Sequence, residues 1–483
     1  MVVHNIFDGG RTCKEQVENS KMACLTSLPS AYEWSGIQNN NNNEYYLSLA
    51  DGSYNNNNKN NQYWVVPAES DGLCEQIFSA ELDCWKNKHS SWDACKFHYN
   101  LGRKIWSLIS DVSEGTYSPS QTYCFITLKP RPREIFASHY RDRVMHHFVA
   151  PYMISITEHV HISNNNMSYG NRKGTSVFLA CKKLQMYMQE MGDGYIVSWD
   201  IKNFFMSIDR EIAWNIFCDY ESKYTPLGYS GNDRNRIMEI IHLLILHEPT
   251  ENTHKCSPQQ LWNSIKSEKS LFNTNGKGLP IGNFYSQIIA NLILAIVCEV
   301  IKEYKILEFV DDFSGVFRTL NEVNECERLI KRACGVLHLT LHPSKKYIQP
   351  ISHGINWCGY KIFKDCIRIS DRTLLVCTKK IEYFLNTAPS MRKSKKLQSS
   401  INSYFGIFKH INEWDTQNRL RELIINSKYS KWLYFEEKET QIICKLKEEF
   451  KPVNISKNDI LEIHNYQKQN KKKHDYNASR KKM

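Results

Sequence analysis

Two adjacent carboxylates, Asp311 and Asp312, interrupt an otherwise apolar stretch, KILEFVDDFSGVF, from Lys305 to Phe317. Two short β-rich runs meeting at a polar pair predict a hairpin with the acids at or near its turn. Neighbouring carboxylates repel each other, so they are placed together mainly where a cation neutralises them. A third acid, Asp200, ends the apolar run Tyr195 to Trp199. If strands of one sheet bring Asp200 beside Asp311 and Asp312, the three form a set of hard oxygen donors suited to Mg²⁺. Two such ions about 3.5–4 Å apart can stabilise the attacking and leaving oxygens of a phosphoryl transfer. Taken alone, the Asp-Asp pair also reads as a solvated turn, and no single spacing decides between the two.

The elements that would position these acids follow from periodicity. Tyr195 to Trp199 reads as a buried strand ending at Asp200, and Ser207 as the N-cap of the helix that carries Ile208, Ile212, Ile216 and Phe217. Ile237 to His247 and Ser286 to Glu303 are apolar helices, with the polar segment Thr250 to Asn275 between them read as an insertion loop. After the Asp pair, Val323, Cys326, Ile330, Ala333 and Leu337 mark an amphipathic helix. Ile355 to Phe363 and Cys366 to Ile369 are short strands, and from Thr373 the chain reads as helical and basic. Upstream, Ser79 to Asp111 has helical spacing and Tyr123 to Leu128 is β-like. A helix starts at Tyr140, and another runs from Val177 to Met191 after the basic loop GNRKGT at Gly170 to Thr175. The order strand–Asp, long helix, hairpin with Asp-Asp, helix, hairpin predicts an α+β layer with helices on one face of an antiparallel sheet.

Composition sets outer limits. At 483 residues the chain has room for two or more domains. Net charge is +11, and Tyr466 to Met483 holds seven Lys/Arg against one Asp. Such a basic balance suits a polyanion, though the tail is equally a solubilising end. The 16 Cys are scattered without a CxxC, which argues for reduced thiols and a cytoplasmic setting over a disulfide framework or a Cys-rich zinc site. The longest apolar stretch, Ile288 to Ile301, contains Asn291 and Glu299 and is read as too interrupted to span a bilayer. The first 72 residues stand apart: Asn runs at Asn39 to Asn43 and Asn55 to Asn58 flank aromatic, alternating pieces that look like short strands.

Five segments in order carry a family resemblance: DIKNFFMSID (Asp200 to Asp209), GKGLPIGNFYSQIIANLIL (Gly276 to Leu294), FVDDF (Phe309 to Phe313), LHPSKK (Leu341 to Lys346) and NWCGYKIF (Asn356 to Phe363). Together they resemble the palm motifs of a reverse transcriptase, and KPRPREIF and RKGT upstream resemble its finger motifs. The resemblance covers roughly Leu73 to Tyr429. It implies a right-hand polymerase: fingers with N-terminal helices over 73–195, palm over 196–370 with a helix and insertion at 220–275, helical thumb over 371–450, and a basic tail over 451–483.

By position, Asp200 and Asp311 match the main metal ligands, with the Ile201 carbonyl between them and Asp312 assisting; two Mg²⁺ are implied, with Mn²⁺ able to replace them in vitro. Phe205 matches the aromatic that lies under the sugar and rejects a 2′-hydroxyl. Lys129 and Arg133 match cations on the triphosphate, for which the Arg fork is suited. Ile281, Gly282 and Gln287 belong to the fourth motif beside the nucleotide and template. Arg172 and Lys173 match template or phosphate contacts, Lys345 or Lys346 the general acid for pyrophosphate, and Tyr360 the primer grip. Most reverse transcriptases carry Gln before the motif's Gly and Ser-Pro after it. Here IGNFYSQ resembles instead the diversity-generating retroelement branch of the group II intron-like bacterial enzymes, which misincorporates opposite template adenines. The aliphatic Ile281 removes a polar constraint from that pocket. The Asn-rich start resembles a translated template repeat of such an element. The implied partners are a template RNA, its cDNA, deoxynucleotides and a small basic accessory protein. A phage-defence reverse transcriptase is the competing assignment.

Overall fold

The computed structural model describes residues 72–450, except 87, 89–90, 130, 230, 412 and 439–440, and the backbone of three strands before them. Those strands, β1 (Trp34–Asn39), β2 (Glu44–Leu49) and β3 (Trp64–Pro67), pair antiparallel in that order. The remainder of the Asn-rich segment and the basic tail past 450, with the roles expected of them, lie outside the described residues. The chain divides into two compact units, Met1–Cys358 and Gly359–Met483.

In the first unit the helical spacing of 79–111 resolves into three helices, α1 (Leu73–Lys86), α2 (Trp92–Tyr99) and α3 (Leu101–Ser113). β4 (Thr122–Thr127) pairs with β5 (Arg133–Ala137), and the 24-residue α4 (Tyr140–Ser163) follows. α5 (Val177–Met191) occupies the segment its periodicity predicts, with Ser176 as N-cap. Then come β6 (Tyr195–Asp200), the single turn α6 (Phe204–Ser207), α7 (Arg210–Lys223) and α8 (Gly231–Leu246). β7 (Thr253–Lys255) and another single turn, α9 (Gln259–Trp262), precede α10 (Phe284–Ile301). The unit closes with β8 (Lys305–Phe309), β9 (Asp312–Phe317), α11 (Leu320–Val336), β10 (Tyr347–Pro350) and β11 (Ile355–Trp357).

The central sheet is antiparallel in the order β10-β6-β9-β8. Residues 196–199 of β6 and 313–317 of β9 are buried, so both faces of the sheet are covered. Helices therefore do not sit on one face only, as the spacing suggests. Val197, Trp199, Phe313 and Phe317 join the core that includes α10 and α11, while α5 packs against β8 and β9. α10 is the one helix among the described residues long and apolar enough to cross a membrane, and 72% of it is buried inside the protein.

Two local expectations change in this unit. Ser207 does not cap α7: its hydroxyl donates to the carbonyls of Lys202 and Asn203 and closes the α6 turn. The cap is Asp209, whose carboxylate accepts from the Ile212 N–H at 3.3 Å. The 250–275 segment is not a free loop. β7 adds in parallel to β4, and the buried Glu134 carboxylate accepts from the Ser270 hydroxyl at 2.6 Å and the Leu271 N–H at 2.8 Å. A buried carboxylate is stable only with such donors, so the insertion is anchored through its acceptor on β5.

The second unit holds the β12 (Tyr360–Ile362)–β13 (Ile367–Ile369) hairpin and the helices α12 (Asp371–Leu385), α13 (Met391–Phe408) and α14 (Trp414–Ile425). Leu397, Ile401, Phe405 and Phe408 of α13 are fully buried on one face, as their spacing predicts. The region does not stay helical to 450. β14 (Leu433–Lys438) and β15 (Gln441–Leu446) form a hairpin on α13, where Asn402 accepts from the Cys444 N–H at 2.8 Å and donates to its carbonyl at 2.9 Å. All fourteen described cysteines are free thiols.

Candidate active site

Register does what spacing alone cannot. β6 and β9 pair so that Asp200 stands directly opposite Asp312, while Phe309 of β8 stands opposite Asp312 on its other side. Directly opposite residues share a face of the sheet, so both carboxyls project the same way. The β8–β9 connection is the two residues Val310 and Asp311. The Asp311 carbonyl accepts from the Ile201 N–H at 3.2 Å, which ties the turn to the end of β6. Val310 has φ of 61°. A β-branched residue in the left-handed region is strained by roughly 1–3 kcal/mol, which surrounding contacts must offset.

The end of β6 is also gripped from the other side. Ile201 bridges Leu341, the His342 N–H donates to the Asp200 carbonyl at 2.7 Å, and the Lys202 N–H donates to the Thr340 carbonyl at 2.9 Å. This pairing delivers the following LHPSKK residues to the site. Lys345 Nζ lies 2.6 Å from Asp200 Oδ2. Lys346 pairs instead with Glu327 on α11. Of the two lysines considered as general acid, only Lys345 has its amine at the carboxylates.

Burial and then the neighbouring charges of Asp311 and Asp200 push the Asp312 carboxyl up to about 7, with Lys345 opposing. Burial and Asp200 also raise Asp311, opposed by Arg133 and Lys345. The cluster is thus short of positive charge. The donors are all oxygen, which fits Mg²⁺ rather than a soft metal. Among the described residues no group of three or more His, Cys, Asp or Glu is gathered into a ready-made cage, and Lys345 holds Asp200. Mg²⁺ commonly binds through one or two carboxylates completed by substrate phosphates, and the opposed Asp200 and Asp312 are two such carboxylates.

The remaining expected residues separate into groups. Arg133, exposed at the start of β5, is near enough to lower Asp311, and Lys129 is exposed in the turn before it. Phe205 and Ile281 pack into one cluster with Cys124, Phe136, Met206 and Leu271. Gly282 has φ of 121°, and a Cβ there would lie 2.7 Å from the Phe136 carbonyl oxygen. The Ile281 carbonyl accepts from the Phe136 N–H at 2.8 Å, so the fourth-motif turn rides on β5. Gln287 is exposed on the first turns of α10, and Lys173 is exposed.

Arg172 is placed otherwise than expected. Its guanidinium makes a fork to Glu158 at 3.0 and 2.7 Å and donates to the Ser168 carbonyl at 2.8 Å, all within the chain. Tyr360 lies in the second unit, buried in β12.

Glu308 is a further acid beside the site, outside the residues that the motifs single out. Its side chain is fully buried behind the turn, and burial pushes it up to about 8. A lone acid inside an apolar strand was the available signal.

No protein-family model matches the chain, and no curated protein matches it. Solved structures that align with it include apo telomerase from Candida tropicalis truncated from its C-terminal domain, with 12% identity and a TM-score of 0.40 over 52% of this chain and 56% of that one. Telomerase from Candida albicans in complex with a TWJ fragment of telomeric RNA aligns with 10% identity and a TM-score of 0.39 over 75% of this chain and 59% of that one. The chain thus spans less than two thirds of either structure's length. Likeness of this size does not define a shared activity.

Proposed function

We propose that the chain is an RNA-directed DNA polymerase with fingers, palm and thumb, of the diversity-generating retroelement branch. It copies a template-repeat RNA into cDNA with errors opposite adenines. The observation that carries this reading is the register that sets Asp200 against Asp312 with Asp311 at the turn and Lys345 on Asp200. Asp200, Asp311, Asp312 and the Ile201 carbonyl would hold two Mg²⁺, which supply charge neutralisation for in-line phosphoryl transfer. Arg133 and Lys129 hold the triphosphate of the incoming deoxynucleotide. The Phe205 ring closes the space a 2′-hydroxyl would need. Lys345 leaves Asp200 on substrate entry and gives its proton to the departing pyrophosphate. Ile281, packed against the same buried cluster as Phe205, offers no polar group to the nascent pair, which relaxes its geometry. A small basic accessory protein and a structured RNA complete the working assembly.

The test is primer extension on RNA with Mg²⁺ and deoxynucleotides, with and without the accessory protein, comparing wild type with Asp311→Ala/Asp312→Ala and sequencing the product. DNA synthesis lost in the variant, with errors concentrated opposite adenines, is the expected result. Faithful synthesis would remove the mutagenic branch and leave the polymerase. Equal synthesis by wild type and variant would remove the catalytic assignment.

A further inference from the structure

We infer that Gly170 and Asn291 are positioning residues for Asp311, acting through the strained turn at Val310; the inference rests on the polymerase reading above. The left-handed φ of Val310 needs something rigid against it. Gly170 supplies that contact. A Cβ at Gly170 would lie 2.7 Å from the Val310 backbone nitrogen and 2.8 Å from Val310 Cγ2, so only glycine allows this approach.

The segment carrying Gly170 is itself pinned from several directions. The Glu308 N–H donates to the Met167 carbonyl, and the Tyr169 N–H donates to the Glu308 carbonyl, both at 2.9 Å, so residues 167–169 lie along β8 like a short extra strand. Asn291, 2% exposed in the middle of α10, donates from Nδ2 to the Gly170 carbonyl at 2.7 Å. Arg172 holds the Ser168 carbonyl, and the Thr175 hydroxyl donates to the Tyr169 carbonyl at 2.9 Å. Arg172 therefore serves the turn through its internal bonds. The Asp311 backbone is clamped on its far side by Ile201. With Gly170 behind and Ile201 ahead, the turn has one place to be, and the Asp311 carboxyl is set with it. A displacement of several tenths of an ångström at the turn is what an added methyl would force. Active sites are sensitive to shifts of that order.

The experiment uses the full chain in primer extension on poly(rA)/oligo(dT), with Gly170→Ala, Asn291→Ser and the control Gly335→Ala, whose Cβ meets nothing within 4 Å. The expected result for Gly170→Ala is a kcat roughly ten- to a hundredfold lower and a severalfold higher half-saturating Mg²⁺, with KM for dTTP nearly unchanged. Asn291→Ser moves the same quantities less, and Gly335→Ala moves none. Val310→Gly added to Gly170→Ala restores part of kcat, because the Cγ2 contact is gone and glycine tolerates a shifted φ. A Gly170→Ala protein whose melting temperature falls while kcat and Mg²⁺ dependence hold would overturn the inference, leaving Gly170 a packing residue. If Gly170→Ala does not fold, Asn291→Ser decides in its place: a lower kcat with a raised Mg²⁺ requirement upholds the inference, and unchanged values overturn it. Wild type inactive on every template and with every partner overturns the polymerase reading, and this inference with it; that outcome is distinct from an active wild type with indifferent variants.

Discussion

Replacing Lys345 by Met should move metal binding and turnover in opposite directions. In the structure the Lys345 amine is the one cation in hydrogen-bond contact with the acid cluster among the described residues, 2.6 Å from Asp200. Its side chain is 37% exposed and that of Asp200 14%, so water screens the pair and its net contribution is about 1 kcal/mol. A divalent ion binding at Asp200 must displace this amine. Removing it therefore frees about 1 kcal/mol, which corresponds to roughly fivefold tighter binding of Mn²⁺ or Mg²⁺ to the nucleotide-free protein. The same change deletes the group proposed to protonate pyrophosphate, and loss of a positioned general acid costs roughly 10²–10⁴ in rate. Titration calorimetry with Mn²⁺ on the free protein and single-turnover incorporation on primer–template give the two numbers. Weaker divalent binding in Lys345→Met would refute the idea that the amine competes for Asp200. Tighter binding with an unchanged chemical step would refute the acid role and keep the competition.

Phe205→Val should lower discrimination against ribonucleotides by roughly ten- to a hundredfold, read from the ratio of kcat/KM for dNTP and rNTP; an unchanged ratio would return Phe205 to a purely packing role. Gly282→Ala forces a side chain into φ of 121° and against the Phe136 carbonyl, so it should cost about 1–3 kcal/mol in denaturant unfolding and raise KM for dNTP through β5; wild-type stability would refute the fit. Burial holds His146 down at about 3 and His161 at about 4, both below the ordinary 6.5. At each of these two rings the unfolded chain therefore binds more protons than the folded one as pH falls below about 6.5, and each takes away roughly 2 kcal/mol of stability at pH 5, against the opposite contribution of the raised Asp312 and Glu308 carboxyls. His146→Gln should remove its ring's share, so that stability at pH 5 relative to pH 7 rises by roughly 2 kcal/mol against wild type; an unaltered difference would show that the buried ring titrates normally.

Local pattern determined much of this protein. The runs that became β6 and α5, the α13 face of Leu397, Ile401, Phe405 and Phe408, and the acids at strand ends were legible because their periodicity and end chemistry are set by nearest neighbours in the chain. The β14–β15 hairpin was not, since a strand pair is stabilised by cross-strand and tertiary contacts such as Asn402 on Cys444. The cap at Asp209 rather than Ser207 turned on a single extra helical turn, below the precision of any pattern. The site itself shows the same division. The sequence by itself determined which residue types were available: three aspartates, two lysines in tandem and a basic loop. Only the tertiary structure decided that Asp200 meets Asp312, that Lys345 rather than Lys346 joins them, and that the Arg172 guanidinium is bound within the chain. The physical reason is that strand register and ion pairing depend on residues distant in the chain, 145 positions for Lys345 with Asp200 but also 19 for Lys346 with Glu327 and 14 for Arg172 with Glu158, and no local propensity encodes a partner beyond the next turn or strand residue.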